Sequence, residues 1–223
     1  MPGRTLAIGD VHGCDQALAA LLEEVAPQAD DTVIFLGDLI DRGPESRQVV
    51  ERVLGLESVC RVIVILGNHE EMLRHALSGH GLLDFWLANG GQATLASYGG
   101  SPEQIPPSHV RLYMTARHYH ETDQAIFVHA GLEPEVSLAN QTADYLRWKH
   151  LSGSERPHPS GKRIICGHTP QLDGRPFAFP GWVCIDTFAY GGKWLTCLDV
   201  ESHKVWQASQ SGERKRLAIA KEV

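Results

Sequence analysis

Short apolar runs at Thr5–Ile8, Thr32–Leu36, Val62–Leu66, Ala125–Val128 and Arg163–Cys166 punctuate the chain, and the first three alternate with segments whose apolar residues recur at helical spacing. That alternation predicts strands packed between helices, an α/β architecture. The first helix is expected to open with Asp15 as its N-cap, to place Leu18, Leu21, Leu22 and Val25 on one face, and to end before Pro27. A second should follow Pro44 through Val49, Val50, Val53 and Leu54, and a third should run from about Glu70 to Leu77 before Ser78-Gly79.

From Phe177 to Ala208 the pattern changes. Strand-like pieces at Trp182–Ile185, Trp194–Leu198 and Lys204–Gln207, joined by Gly-rich or charged turns, suggest an antiparallel meander. Gly99–Pro107 and Ser152–Lys162 read as loops and are expected to shape a substrate groove. Residues 210–223, with Arg214-Lys215-Arg216, read as a solvated tail on a single domain spanning 1–223.

At 43% hydrophobic and 21% charged residues, the composition is that of an ordinary folded globule. Twenty Lys+Arg against 27 Asp+Glu give a formal charge of −7, which argues against a general nucleic-acid binder. Cys14, Cys60, Cys166, Cys184 and Cys197 form no C-x-x-C pair, so neither a disulfide framework nor a thiolate zinc site is expected. With no signal-peptide pattern and no apolar run of membrane-spanning length, the chain is expected to be a cytoplasmic monomer with no membrane partner.

Residues able to do chemistry stand directly after each apolar run. Asp10-x-His12-Gly13 comes after the first, Gly37-Asp38-x-x-Asp41-Arg42-Gly43 after the second, and Gly67-Asn68-His69-Glu70 after the third. His129-Ala130-Gly131 and Gly167-His168-Thr169-Pro170 come after the fourth and fifth. Loops beyond the carboxyl ends of α/β strands gather at one edge, where ligands bind. An Asp there usually caps a helix, and a lone His is usually a satisfied core residue. Capping does not call for Asp, Asn and His beside Gly after five successive strands. Carboxylate, imidazole and amide oxygen without thiolate suit Mn, Fe or Zn, and the ligands suffice for two ions. Two divalent ions against Asp10 and Asp38 leave the site at +2, or +1 with a bridging hydroxide, so a phosphate can enter despite the −7 total.

In this order the motifs resemble the signature set of the phosphoprotein phosphatase family of metallophosphoesterases, over roughly residues 5–200. They are closest to its small bacterial and phage serine/threonine phosphatases of the lambda type, which Gly67–Met72, Trp86–Gly91 and Gly167–Pro170 also resemble. The resemblance implies a β-sandwich flanked by helices and two divalent ions, Mn first, with Fe, Zn, Ni or Co as substitutes. It implies that Asp10, His12 and Asp38 hold one ion, and that Asp38 bridges to a second completed by Asn68, His129 and His168. Metal-bound hydroxide would be the nucleophile. His69 matches the general acid, Asp41 the acidic partner that orients it, and Arg42 a phosphate-binding arginine beside Asn68. A second phosphate contact, an Arg in a Trp-x-Arg element, has no clean match. The chain reads Tyr145-Leu146-Arg147-Trp148-Lys149-His150, which leaves Arg147 or Lys149 as candidates.

The expected reaction is hydrolysis of a phosphorylated protein or small phosphoester. The alternative is hydrolysis of dinucleoside polyphosphates such as diadenosine tetraphosphate, by a branch that shares the fold and most motifs. Asp41, Glu70 and Thr169 are the residues that favour the protein-phosphatase side. A catalytically silent module on the same scaffold is the remote reading, and no ligand is missing to support it.

Overall fold

The computed structural model describes residues 3–79 and 81–219. Two sheets pack face to face. The first contains β1 (Thr5–Ile8), β2 (Thr32–Phe35) and β3 (Arg61–Val64), all parallel, and β9 (Leu195–Asp199), β10 (Lys204–Ala208) and β11 (Arg214–Ala218), in the order β11-β10-β9-β1-β2-β3. The second runs β4-β5-β6-β8-β7, from β4 (His120–Glu121), β5 (Ala125–Phe127), β6 (Arg163–Cys166), β7 (Phe177–Phe179) and β8 (Trp182–Cys184).

The period-2 pleat explains why the strand runs are apolar throughout. Ala7, Ile34 and Ile63 point between the sheets and meet Phe127, Ile165 and Val183. Leu6, Ile8, Val33 and Phe35 point the other way, onto α1 (Asp15–Val25) and α2 (Ser46–Leu56), which present Leu18, Leu21, Val49 and Val53. Helix α3 (Asn68–Leu77) begins immediately after the β3 loop. Shorter helices α4 (Leu83–Trp86), α5 (Gln92–Ser97), α6 (Pro107–Thr115) and α7 (Ala143–Arg147) fill the connections.

Several boundaries differ from expectation. Asp15 is the first residue of α1 and not its cap, since its carboxylate is held by Arg52 at 2.7 Å. The meander is β9-β10-β11, whereas the expected piece at 182–185 lies in the other sheet, paired parallel to β6 and antiparallel to β7. The reason is that β8 buries both faces, Val183 between the sheets and Trp182 and Cys184 under the second sheet's outer cover, so its composition cannot reveal which sheet holds it. The loop expected at 99–107 contains a 3₁₀ turn, Pro102–Gln104. Arg214-Lys215-Arg216, expected in a solvated tail, forms the edge strand, with Lys215 Nζ 4.0 Å from the centroid of the Trp194 ring and Arg216 hydrogen-bonded to Glu24 at 2.6 Å. The end of that tail, 220–223, lies outside the described residues. All five cysteines are buried and unpaired. No helix among the described residues is long and apolar enough to cross a membrane.

Candidate metal centre and its cleft

The loops after β1, β2, β3, β5 and β6 converge at one edge, as expected, and the loop after β8 joins them with Asp186. Turning five loops toward one point requires unusual backbone. His12, Asp38, Asp41, Arg42 and His168 all have left-handed φ, between 47° and 72°. Each such residue costs on the order of 1–3 kcal/mol and persists only where its surroundings fix it. Here the Asp38 carbonyl accepts the Val11 and His12 N–H groups at 3.0 and 2.8 Å, and the His12 carbonyl accepts the Gly43 N–H at 3.0 Å. Glycine is required where ligands approach the chain. A Cβ at Gly67 would lie 2.2 Å from Asp38 Oδ1, and one at Gly167 1.9 Å from Asp10 Oδ1.

Asp38 sits at the centre of the cluster. Its Oδ2 is 3.4 Å from His129 Nε2, 3.5 Å from His12 Nε2 and 3.9 Å from His69 Nε2. Two groups can each hold an ion, His12 with Asp38 and His69, and Asp38 with His129 and His168, the ligand atoms within each lying within 4.8 Å of one another. Asn68 Oδ1 lies 2.9 Å from His129 Nε2. His12 and His129 turn Nδ1 to the Ile40 and Leu36 carbonyls at 2.9 and 2.8 Å, which orients both rings with Nε2 facing the cluster. Asp10, expected beside His12, stands behind His168, whose N–H its carboxylate accepts at 3.0 Å.

The charge distribution asks for cations. Burial, then Asp186 and Asp38 nearby, hold the Asp10 carboxyl well above the usual range. Burial likewise pushes Asp186 up to about 6, against the Phe188 N–H its carboxylate accepts. Asp38 is buried too, but the imidazoles of His129, His69 and His12 hold it well below the ordinary range. Burial and the neighbouring His129 push His168 down to about 3, leaving a neutral ring. Its Nε2 and Asp186 Oδ2 are buried with no hydrogen-bond partner. Orphaned lone pairs beside crowded carboxylates fit divalent ions, which would satisfy both. Asp186 follows β8 as the other candidate residues follow their strands, a position the expected meander hides.

His69 stands at the cluster's edge with Nδ1 2.7 Å from Asp41 Oδ2, both fully buried. Asp41 is held in turn by Trp86 Nε1 at 2.9 Å and by the Thr94 hydroxyl at 2.6 Å, which donate to its carboxylate. Glu70 and Thr169 have scaffold partners. The Glu70 carboxylate accepts the Asp38, Leu39 and Gly67 N–H groups at 2.8–3.1 Å, and the Thr169 hydroxyl accepts the Leu151 N–H at 3.0 Å.

A cleft of about 350 Å³ opens over the cluster, with Arg42, His69, Asn89, Trp148, His150 and Tyr190 on its walls. The Arg42 guanidinium carbon lies 4.5 Å from the centroid of the Tyr190 ring, and its Nη1 donates to His12 Nε2 at 2.9 Å. Arg147 is not in the cleft. It is 5% exposed and turned away to Glu71 on α3, at 2.6 and 2.8 Å, because the α7 turn sends adjacent side chains in different directions. Trp148 and His150 face the cleft in its stead. Lys149 is exposed and does not line it. Tyr190, in a 3₁₀ turn before Gly191-Gly192, carried no sequence signal.

The family profile described as calcineurin-like phosphoesterase matches residues 3–193. The asymmetrical bis(5'-nucleosyl)-tetraphosphatase PrpE of Anoxybacillus flavithermus is 27% identical over 224 residues, covering 86% of this chain and 88% of its own length. A symmetrical bis(5'-nucleosyl)-tetraphosphatase of Coxiella burnetii is 31% identical over 168 residues, covering 69% of this chain and 55% of its own. Among solved structures, a cold-active protein-tyrosine phosphatase of a Shewanella species superposes with a TM-score of 0.68 at 16% identity, over 97% of this chain and 81% of its own. At that identity the likeness is one of fold.

Proposed function

The chain belongs to the calcineurin-like phosphoesterase family, and from that premise we propose that it hydrolyses the phosphoanhydride linkage of dinucleoside polyphosphates. The observation that carries this reading is the match, over most of both chains, to a relative named for that activity. The cleft supports it, since Trp148, His150 and Tyr190 line it beside Asp38, Arg42 and His69. The three residues that favoured a phosphoprotein substrate lose their force. Asp41 holds His69, Glu70 holds the β2 and β3 loops, and Thr169 holds the chain at Leu151, and none of them lines the cleft.

In this reading Asp10, His12, Asp38, Asn68, His129 and His168 are the residues that would hold two divalent ions, Mn²⁺ first among candidates. When bound, such ions polarise phosphoryl oxygens and activate a water near neutral pH. Arg42 grips phosphoryl oxygens with a planar fork that the Tyr190 ring keeps flat against the cleft wall. Asn68 offers its amide to the same phosphoryl group. His69, its Nδ1–H donated to Asp41, turns Nε2 toward the cluster and delivers the proton to the departing phosphate oxygen.

The test is a rate comparison of the Mn²⁺-loaded protein on diadenosine tetraphosphate, a phosphoserine peptide and a phosphotyrosine peptide. We expect kcat/KM for the dinucleotide to exceed both peptides by at least about tenfold, the selectivity that 1.4 kcal/mol of differential transition-state binding gives. Chromatography then separates AMP plus ATP from two ADP and so fixes which anhydride is cut. A preference for either peptide would overturn the reading.

A further inference from the structure

We propose that Trp148 is a nucleobase platform, held in place by Glu71 and Arg147. The proposal rests on the dinucleotide reading above and names the residue that would recognise the base. Trp148 follows α7, and Arg147 before it is buried where Trp148 is 37% exposed. The two side chains converge on one carboxylate. Glu71 Oε1 accepts Arg147 Nε at 2.8 Å, and Glu71 Oε2 accepts the indole N–H at 2.8 Å. Glu71 stands two residues after His69 on α3, so the ring is tied by its edge to the helix that carries the proposed acid.

The other cleft rings are already engaged. Tyr190 receives the Arg42 guanidinium on its face and packs edge-on against His12 at 4.8 Å. His150 lies over His168 at 4.6 Å. Trp148 alone has its polar edge satisfied while, among the described residues, no ring lies against its faces. A wide π-face fixed by its edge, exposed and on the wall of a phosphate cleft, suits a base whose phosphate enters that cleft, because stacking is tolerant of base identity and needs little further ordering. Arg147, missing from the cleft, acquires a role as a positioning residue.

The experiment compares inhibitors that differ only in the base. Hydrolysis of p-nitrophenyl phosphate by the metal-loaded protein reports the inhibition constants of AMP and ribose 5-phosphate for the wild type, Trp148→Ala and Trp148→Phe. We expect AMP to bind about tenfold tighter than ribose 5-phosphate in the wild type, near the low end of base–aromatic stacking. The ratio should fall to near one in Trp148→Ala and recover in Trp148→Phe. Glu71→Gln, which keeps an acceptor but loses the charge, should reduce the ratio partway. A merely structural Trp148 would shift both constants together and leave the ratio unchanged, which would overturn the proposal. So would equal constants in the wild type, or a Trp148-dependent advantage of phosphotyrosine over phosphoserine with none for AMP. Failure of the dinucleotide reading shows separately, as wild-type preference for a phosphopeptide whatever the AMP ratio.

Discussion

Strands β1 and β2 carry buried aspartates at both ends, and the two ends treat them oppositely. At the end away from the cleft, Asp31 is fully partnered. Its carboxylate accepts Arg4 Nη2 at 2.6 Å and the Arg4 and Gln28 N–H groups at 2.7 and 2.8 Å. At the cleft end Asp10, Asp38 and Asp186 crowd together among imidazoles, and Asp186 Oδ2 has no hydrogen-bond partner. The same contrast holds for the backbone. Of the eight non-glycine residues with left-handed φ among the described residues, His12, Asp38, Asp41, Arg42 and His168 lie in the cleft loops and Phe188 follows Asp186 closely, against only Ala26 and His203 at the far end. One end is built to be stable with the charges it has. The other is strained and electrostatically incomplete, as sites that bind cations and anionic substrates are.

The sharpest way to break that comparison is Asp10→Asn. The amide oxygen can still accept the His168 N–H, but a buried, crowded negative charge is gone. Turnover should fall by about 10³-fold, the upper range for removing one electrostatic group from a closed site. In the metal-free protein the same change should raise stability by about 1 kcal/mol, or roughly 2–4 °C at this chain length. Melting curves with EDTA, set beside Mn²⁺-dependent rates, test both halves. Loss of stability together with activity would mean that the cleft end is held like the far end.

Asp41→Asn tests whether the strain serves orientation. The amide can accept from Trp86 and Thr94, but the carboxylate that accepts from His69 Nδ1 and orients the ring is gone. We expect kcat to drop about 10²-fold, at the low end for general acid–base catalysis, with KM and bound metal per chain nearly unchanged. The loss should be larger on an alkyl phosphate than on a dinucleotide, since an alkoxide needs its proton more than a departing nucleotide does. Loss of metal in parallel with activity would make the His69–Asp41 pair a support for the ligands.

These contrasts were unevenly legible in the sequence. The apolar runs marked β1, β2 and β6 nearly to the residue, because both faces of those strands are covered and the pattern is unbroken. Asp10, His12, Asp38 and His168 stand out in the sequence because each follows such a run directly beside Gly, and His129 because it directly follows the fourth run, while Gly67 and Gly167 mark where side chains approach the backbone too closely for a Cβ. Asp186 was missed although it follows β8 in the same way, since the local composition of β8 is the same whether it pairs with β6 or lies in a meander. Trp148 could not be told from Arg147 as a cleft residue. Which of two neighbours on a short helical turn faces the site depends on Glu71, 76 residues from Arg147. The partners at the far end were equally hidden, because the Arg4–Asp31 pair spans 27 residues and no local pattern announces it.

Asp31→Asn is the converse of Asp10→Asn and carries the smallest effect. Asp31 is 3% exposed, and burial pushes its carboxyl up, but the Arg4 guanidinium and the Gln28 and Arg4 N–H groups outweigh burial and hold it below the usual range. A carboxyl whose folded pKa is depressed contributes stability that is present above its unfolded pKa of about 3.9 and is lost as pH falls through the folded value. Asn keeps one acceptor and loses the charge, while Arg4, with its side chain 30% exposed, can turn to water. The cost at neutral pH should therefore be about 1.5 kcal/mol, the low end for a hydrogen bond to a charged group. Urea midpoints should separate wild type and variant at pH 7 and converge as pH falls below about 4, because the wild type alone loses the contribution. Metal-dependent turnover should be unchanged at every pH where both are folded, since Asp31 lies at the opposite end of the strands from the cleft. A gap that persists into acid would mean that Asp31 contributes through packing and not through charge, and the two ends of the sheet would differ in strain alone.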